Sequence, residues 1–256
     1  MFIRNEDFRS FLRNYPMVSL IVAINLIIFL LVHFQMAGGS VLSFMVEANA
    51  GIAMGEYWRL VTPIFLHYAF FHVLFNCFSI ILFAPALERI LGKFLFVLAF
   101  LFCGVIGNLA TYWLEPLTYQ SLGASGAIFG LFGIYVYMVL FRKDLIDRMN
   151  SQLIITILIF SLISTFFTSN VNIVAHLFGF IGGLLIAPPV LSRVPIGYSW
   201  YPNSRSRTRG HYQGTTVTFD PDRWKKRLKR QATAKKVVWG LITLFILFGL
   251  LSYLIR

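Results

Sequence analysis

Charge is scarce in this chain, and acidic charge is the scarcest. Only 12% of the 256 residues are charged, the acidic residues number 10 against 22 basic ones, and 58% of the residues are hydrophobic. Soluble globular domains carry about 25% charged residues. The mean hydropathy of +0.75 points the same way. The composition therefore excludes an ordinary water-soluble domain and predicts an integral membrane protein.

Cysteine is also nearly absent. Cys77 and Cys103 both fall in apolar stretches, where buried thiols are typical small apolar fillers. No disulfide framework, zinc motif or phosphate-binding loop is visible. His67 and His72 are five residues apart with no acidic residue between them, which does not match the H-E-x-x-H zinc pattern. We expect neither a metal nor a cofactor.

The chain does have long apolar runs. Crossing the hydrocarbon core takes about 20 apolar residues, and seven runs qualify: about 17–36, 63–85, 94–114, 123–141, 152–169, 172–191 and 237–255. They predict an all-α polytopic membrane protein, with the first run as an uncleaved signal anchor. We expect a cytoplasmic N-terminal segment at 1–16, a six-helix bundle at 17–192, a basic connector at 193–236 and a seventh transmembrane helix at 237–256.

Basic residues set the orientation. Nearly all of them precede the first run or lie between runs two and three, four and five, or six and seven, and only Arg59 and Arg256 fall on the other side. Cytoplasmic loops are the basic ones, so the N-terminus is predicted to be cytoplasmic and the C-terminus extracytoplasmic. The connector carries twelve basic and two acidic residues, which favours contact with anionic lipids of the inner leaflet. No nucleic-acid-binding module accompanies this charge, so we expect no nucleic-acid partner.

Rare polar residues converge at one depth. Runs two, four and six all enter from the outer side, and His72 with Asn76, Ser125 and His176 lie near the outer ends of these three runs. Polar groups inside a membrane are costly and often functional. Hydrogen bonding between helices is an alternative role for His72 and Asn76, which are four residues apart and share a helical face.

These residues suit acyl-transfer chemistry. A serine hydroxyl needs a neighbouring base, and His176 is the candidate base for Ser125. No Asp or Glu lies in runs four to six, so the pair is predicted to be a dyad in which packing orients the imidazole. His72 and Asn76 are candidate donors to an oxyanion.

Several neighbours have structural explanations. Gly123 and Gly126 permit a tight turn and a close approach beside Ser125. Gly179 and Gly183 form a small-xxx-small face suited to packing run six against run four. Trp58 and Arg59 close an apolar outer segment, about 37–62, that we expect to hold short interfacial helices. An ordinary aromatic belt anchor is the alternative for this pair.

Taken together, the chain resembles the rhomboid family of intramembrane serine proteases over about 17–192. The resemblance rests on Trp58-Arg59, on the H-x4-H-x3-N pattern of His67, His72 and Asn76, on G-x-S-G at 123–126, and on A-H-x-x-G-x-x-x-G at 175–183. It implies that Ser125 is the nucleophile, His176 the base, His72 and Asn76 the oxyanion donors, and His67 mainly structural. It also marks Glu88 and Gly92 as structural.

Phe129 departs from the family pattern, in which many bacterial members have a tyrosine that stacks on the imidazole. A phenyl ring is expected to stack without the hydroxyl. By resemblance the substrates are single-span membrane proteins of a bacterial cell membrane, cut in or near their spans. Run five, with Phe160, Phe166 and Phe167, is the implied lateral gate.

Two other functions compete with a protease. A catalytically silent relative that binds or sorts transmembrane clients would typically lack the Ser125- or His176-type residue, and both are present. A transporter or channel would show intramembrane carboxylates or a polar path through both leaflets, whereas the polar residues here cluster near one side.

Overall fold

The computed structural model describes residues 1–2, 4–34, 39–167, 171–195 and 240. The predicted connector at 193–236 and the seventh helix at 237–256 therefore lie outside the described residues, apart from 193–195 and Gly240. The long helices follow the apolar runs of the sequence. The described helices are α1 Phe8–Asn14, α2 Pro16–His33, α3 Ser40–Met45, α4 Asn49–Ala53, α5 Phe70–Leu91, α6 Lys93–Leu114, α7 Ser125–Phe141, α8 Arg148–Phe167 and α9 Ile173–Leu191.

Five of these helices, namely α2, α5, α6, α8 and α9, are long and apolar enough to cross a membrane, and α7 is a shorter apolar helix. The prediction of an all-α polytopic membrane protein is confirmed. A helix of the 17 residues of α7 is about 26 Å long, less than the roughly 30 Å of a hydrocarbon core.

The start of the second predicted run differs from the structure. Residues 63–69 belong to the apolar run, but the helix begins only at Phe70. Thr62–Phe65 is a 3₁₀ helix, and Leu66 and Ala69 are extended. Hydropathy responds to side-chain polarity and not to backbone dihedrals, so it could not separate this segment from α5. His67 consequently lies before the helix and not on a helical face.

Glycines allow α7 and α9 to pack with their backbones in close contact. A Cβ atom on Gly183 would lie 1.9 Å from the carbonyl oxygen of Gly130, and one on Gly179 would lie 2.1 Å from that of Gly126. No side chain fits in either place. The prediction that Gly179 and Gly183 bring the sixth run against the fourth is confirmed.

A buried carboxylate ties α5 to α2. Glu88, which is 3% exposed, accepts hydrogen bonds from the backbone N–H groups of Met17 at 3.0 Å and Val18 at 2.8 Å. These groups lie in the first turn of α2, where backbone donors lack intrahelical partners. Gly92, with a φ of +79°, then ends α5 and begins α6.

The outer segment before α5 is organised by Arg59. Its guanidinium donates to the carbonyl oxygens of Ser43, Phe44 and Val46 at 2.8, 3.2 and 2.9 Å and pairs with Glu56. The segment contains α3, α4 and the 3₁₀ helix Tyr57–Leu60, and short helices of this kind were expected for 37–62. Strand β1 (Glu47–Ala48) pairs antiparallel with β2 (Gln120–Ser121), which connects this segment to the approach to α7.

Candidate active site

Ser125 is the first residue of α7 and is held by the turn before it. Gly123 has a φ of +125°, a conformation that glycine adopts without strain. The N–H of Gly123 donates to the Pro63 carbonyl at 2.9 Å, and the N–H of Ala124 donates to His67 Nε2 at 3.4 Å. The 3₁₀ segment and the extended residues after it thereby fix the position of Ser125.

His176 lies in the first turn of α9, directly opposite this serine. The side chain of Asn172 caps the helix by accepting from the N–H of Ala175 at 2.9 Å. His176 is 7% exposed, and its Nε2 is 2.7 Å from Ser125 Oγ. The structure therefore brings the predicted nucleophile and base into hydrogen-bond contact.

One turn after Ser125, Phe129 covers a face of the imidazole. The ring centroids of Phe129 and His176 are 4.3 Å apart, with 17° between the planes. The two rings are therefore stacked, and the phenyl ring of Phe129 carries no hydroxyl group. Gly126, on the same turn, faces the Ala175 carbonyl, where a Cβ would lie 3.3 Å away.

A contact of His176 that the sequence analysis missed is to Thr165 on α8. Thr165 Oγ1 is 3.0 Å from His176 Nδ1 and donates to the Ser161 carbonyl at 2.8 Å. Thr165 is 5% exposed. The available signal was a hydroxyl residue near the outer end of run five, at the depth of His176. The prediction that packing orients the imidazole in place of a carboxylate did not include this hydroxyl.

His72 and Asn76 lie on α5 beside the turn before α7. The Asn76 side-chain amide donates to the His72 carbonyl at 2.9 Å. The His72 ring lies against Gly123, where a Cβ would be 2.7 Å from its Cε1 and Nε2 atoms. The His67 ring meets the His72 ring edge-on with a centroid distance of 5.0 Å. His67 thus contacts the site from the segment before α5.

A cavity of about 190 Å³ adjoins the pair. Its walls come mainly from α5, α7 and α8, and it is lined by Phe75, Asn76, Ser79, Ser125, Ile128, Phe129, Phe132, Ser161, Ser164, Thr165, Val171 and His176. Asn76 therefore faces the same space as Ser125. An extended peptide that entered between α5 and α8 would meet both.

Trp58 and Arg59 lie away from this cavity. The indole N–H of Trp58 donates to the Phe44 carbonyl at 3.2 Å, and its ring stacks on Phe44 at 5.4 Å. Both residues of the pair hold the outer segment in shape. Their contacts are structural and do not include a reacting group.

A buried polar network supports the start of α9. Glu47 is fully buried and accepts from the Ser121 hydroxyl. Ser121 in turn accepts from the Asn172 amide at 3.0 Å, and Thr111 contacts the same amide at 2.9 Å. Burial raises the pKa of Glu47 to about 8, and the Ser121 hydrogen bond opposes this rise. The network joins β1, β2 and α6 to the cap of α9.

No group of three or more His, Cys, Asp or Glu side chains that could hold a metal ion occurs among the residues that the structure describes. Cys77 and Cys103 are free and buried. The polar groups around Ser125 are imidazoles, amides and hydroxyls, a set suited to proton transfer and hydrogen bonding.

Comparison with known proteins finds a matching domain family and relatives that are named rhomboid proteases. Residues 54–193 match the Rhomboid domain. The chain is 51% identical over 190 residues to the putative rhomboid protease YdcA of Bacillus subtilis, covering 73% of this chain and 94% of that protein. It is 36% identical over 173 residues to the rhomboid protease GluP of Bacillus subtilis, covering 66% of this chain but only 33% of GluP.

Proposed function

The chain belongs to the rhomboid family, and we propose that it is an intramembrane serine endopeptidase that uses Ser125 as nucleophile and His176 as base. The observation that carries the proposal is the 2.7 Å contact between Ser125 Oγ and His176 Nε2. A serine and a histidine in hydrogen-bond reach form the minimal unit for nucleophilic acyl transfer. Both are part of a multi-pass membrane protein whose relatives are named rhomboid proteases.

The reaction follows from this geometry. Ser125 Oγ attacks the carbonyl carbon of the scissile peptide bond while His176 Nε2 takes its proton. His176 then returns the proton to the leaving amine nitrogen, and the C–N bond breaks to leave an ester on Ser125. A water molecule, deprotonated by His176, then attacks the ester carbonyl, the C–O bond to Ser125 breaks, and His176 returns the proton to Ser125 Oγ as the second product leaves as a carboxylic acid.

We propose that Asn76 and His72 stabilise the oxyanion of the tetrahedral intermediates. The Asn76 amide carries two N–H donors; one donates to the His72 carbonyl, and the other is assigned to the oxyanion. The backbone N–H of Ser125, at the first position of α7, also has no partner within its helix. Removing one oxyanion donor typically lowers turnover about 10²- to 10³-fold. An Asn76→Ala enzyme whose turnover stays within about threefold of the parent would assign Asn76 to packing instead.

We propose single-span membrane proteins as substrates, cut in or near their transmembrane segments. The cavity beside Ser125 is walled by α5 and α8, and α7 is about 26 Å long. Its first residue can therefore lie below the surface of a roughly 30 Å hydrocarbon core. We place the N-terminus in the cytoplasm of a bacterial cell and the site in the outer half of the membrane.

The test uses the full-length protein in detergent with a model single-span substrate and a fluorophosphonate probe. The parent should cleave the substrate and become labelled at Ser125. Ser125→Ala and His176→Ala should each abolish cleavage, and the double variant should be no worse than the more impaired single variant, because the two residues act as one unit.

Ser151→Ala provides the matched control. This hydroxyl donates to the Asp147 carbonyl in the first turn of α8, at the end of the helix away from Thr165, and its loss should leave labelling and cleavage unchanged. Cleavage by Ser125→Ala would refute the proposal. A folded parent that neither cleaves nor reacts with the probe would favour a catalytically silent relative that binds transmembrane clients.

A further inference from the structure

The side chain of His176 has a polar contact at each ring nitrogen. Nε2 contacts Ser125 Oγ at 2.7 Å, and Nδ1 contacts Thr165 Oγ1 at 3.0 Å. We propose that Thr165 is a positioning residue that fixes the tautomer and the orientation of His176. This inference rests on the proposed function of the Ser125–His176 pair and adds a third group, contributed by α8.

The direction of each hydrogen bond follows from the number of protons available. A threonine hydroxyl has one proton to donate, and Thr165 donates it to the Ser161 carbonyl at 2.8 Å. We assign this proton to the Ser161 hydrogen bond, so that Thr165 Oγ1 accepts in its contact with His176 and Nδ1 carries the imidazole proton. Nε2 is then unprotonated and free to accept the proton of Ser125. Hydrogen bonds thus link Ser125 to His176, His176 to Thr165, and Thr165 to the Ser161 carbonyl.

This arrangement does in part what an aspartate does in a serine protease triad. A triad aspartate holds the histidine in the correct tautomer and stabilises the imidazolium that forms. No acidic residue occurs in α7, α8 or α9. The Thr165 hydroxyl can accept from Nδ1–H in both protonation states of the ring. This hydrogen bond strengthens when the ring becomes charged.

The helix that supplies Thr165 is also a wall of the cavity. The cavity is lined on this side by Ser161, Ser164 and Thr165 of α8. Only 17% of the apolar stretch of α8 is buried, compared with 50% of that of α9. The contact at Nδ1 requires α8 to occupy its observed position against α9. Orientation of the base thus depends on a helix that borders the proposed substrate path.

The experiment compares Thr165→Val, which keeps the shape and removes the hydroxyl, with Thr165→Ser, which keeps the hydroxyl. Thr156→Val is the matched control, because Thr156 is an exposed threonine on the same helix. For Thr165→Val we expect kcat to fall about 10- to 100-fold, the range of a hydrogen bond to a charged group, with KM within threefold. Thr165→Ser and Thr156→Val should stay within threefold of the parent in kcat.

Two results would overturn the proposal. One is a Thr165→Val enzyme with kcat within threefold of the parent. The other is a Thr165→Ser enzyme as impaired as Thr165→Val, which would show that the hydroxyl is not the relevant group. If Thr165→Val melts well below the parent in detergent, Thr165→Ala provides the second hydroxyl deletion and is judged by the same criteria.

A spectroscopic measurement tests the same contact independently of cleavage. The chain has five histidines, and in ¹⁵N-histidine-labelled protein the His176 signals are those lost in His176→Ala. We expect Nδ1 to be protonated in the parent and the tautomers to mix in Thr165→Val. An Nε2-protonated parent would refute the Thr165 assignment even if the enzyme cleaves, and an Nδ1-protonated parent without cleavage would refute only the proposed function.

Discussion

Replacing Gly183 by alanine perturbs the α7–α9 interface where the two backbones are closest. The added Cβ would lie 1.9 Å from the Gly130 carbonyl oxygen, 2.7 Å from its carbon and 2.9 Å from its Cα. All three atoms belong to the backbone, so no side chain can rotate away. Restoring an ordinary contact of about 3.4 Å requires the helices to separate locally by about 1.5 Å.

This separation is large compared with the tolerance of the site. Gly183 lies two turns after His176 on α9, and Gly130 lies less than two turns after Ser125 on α7. If only half of the displacement reaches the site, the 2.7 Å Ser125–His176 contact lengthens to about 3.4 Å, beyond a normal O–H···N hydrogen bond. A misplacement of about 1 Å can cost 10²-fold in rate, and overpacking typically costs about 1–3 kcal/mol of stability.

Gly182→Ala is the matched control, since it makes the same change one residue away. A Cβ on Gly182 would be 3.4 Å from the Cβ and Cγ2 atoms of Ile106, which is an ordinary contact. Both substitutions gain the same helix propensity, about 1 kcal/mol, so a difference between them reports the backbone clash. We measure cleavage of a model single-span substrate and the melting temperature, both in detergent.

We expect Gly182→Ala to stay within about twofold of the parent in kcat/KM and to melt no lower. Gly183→Ala should melt several degrees lower and lose about 100-fold in kcat/KM, because overpacking destabilises the fold and displaces the reacting groups. A Gly183→Ala protein that matches Gly182→Ala in both measurements would refute the argument. It would show that α7 and α9 can separate without disturbing the pair.

Two further predictions concern regions outside the spans. Burial raises the pKa of Glu47 from 4.5 to about 8, which means that the fold favours the protonated carboxyl. Its contribution to stability is therefore complete below about pH 4.5, falls as the pH rises and is lost once the pH has passed about 8. The parent should melt progressively lower from pH 5 to 8 and Glu47→Gln should not, and equal slopes would contradict this. For the connector at 193–236, replacing the five basic residues of 225–230 by glutamine should weaken binding to anionic vesicles, because each charge near an anionic surface contributes about 1 kcal/mol. Cleavage in detergent should stay unchanged. Loss of cleavage in a correctly folded variant would refute a role limited to lipid docking.

The predictable part of the fold is the part that hydropathy encodes. Helices α2, α6, α8 and α9 lie close to their predicted runs because each must present a continuous apolar surface to lipid. The displaced start of α5 was not predictable in this way. Residues 63–69 belong to an apolar run like those that form the transmembrane helices. They nevertheless adopt 3₁₀ and extended conformations, which place His67 against the turn before Ser125.

For the site, depth along the helices was enough to predict that Ser125 and His176 would meet, together with the glycine face that allows it. Thr165 was missed for a physical reason. Its hydroxyl belongs to a run that enters from the opposite side, and its contact depends on the rotation of α8 about its axis. Only 17% of the apolar stretch of α8 is buried, so its sequence carries little periodicity from which to infer that rotation.

The backbone before α7 explains why a histidine stands at position 67. Non-helical backbone at membrane depth must have its polar groups satisfied within the protein. The turn at 123–124, which we propose to lie at membrane depth, has its N–H groups paired with the Pro63 carbonyl and His67 Nε2. Because Nε2 accepts from the N–H of Ala124, the ring holds the residue immediately before the proposed nucleophile. The His67 imidazole therefore supports the site by accepting a hydrogen bond from a backbone N–H group in the turn that precedes Ser125.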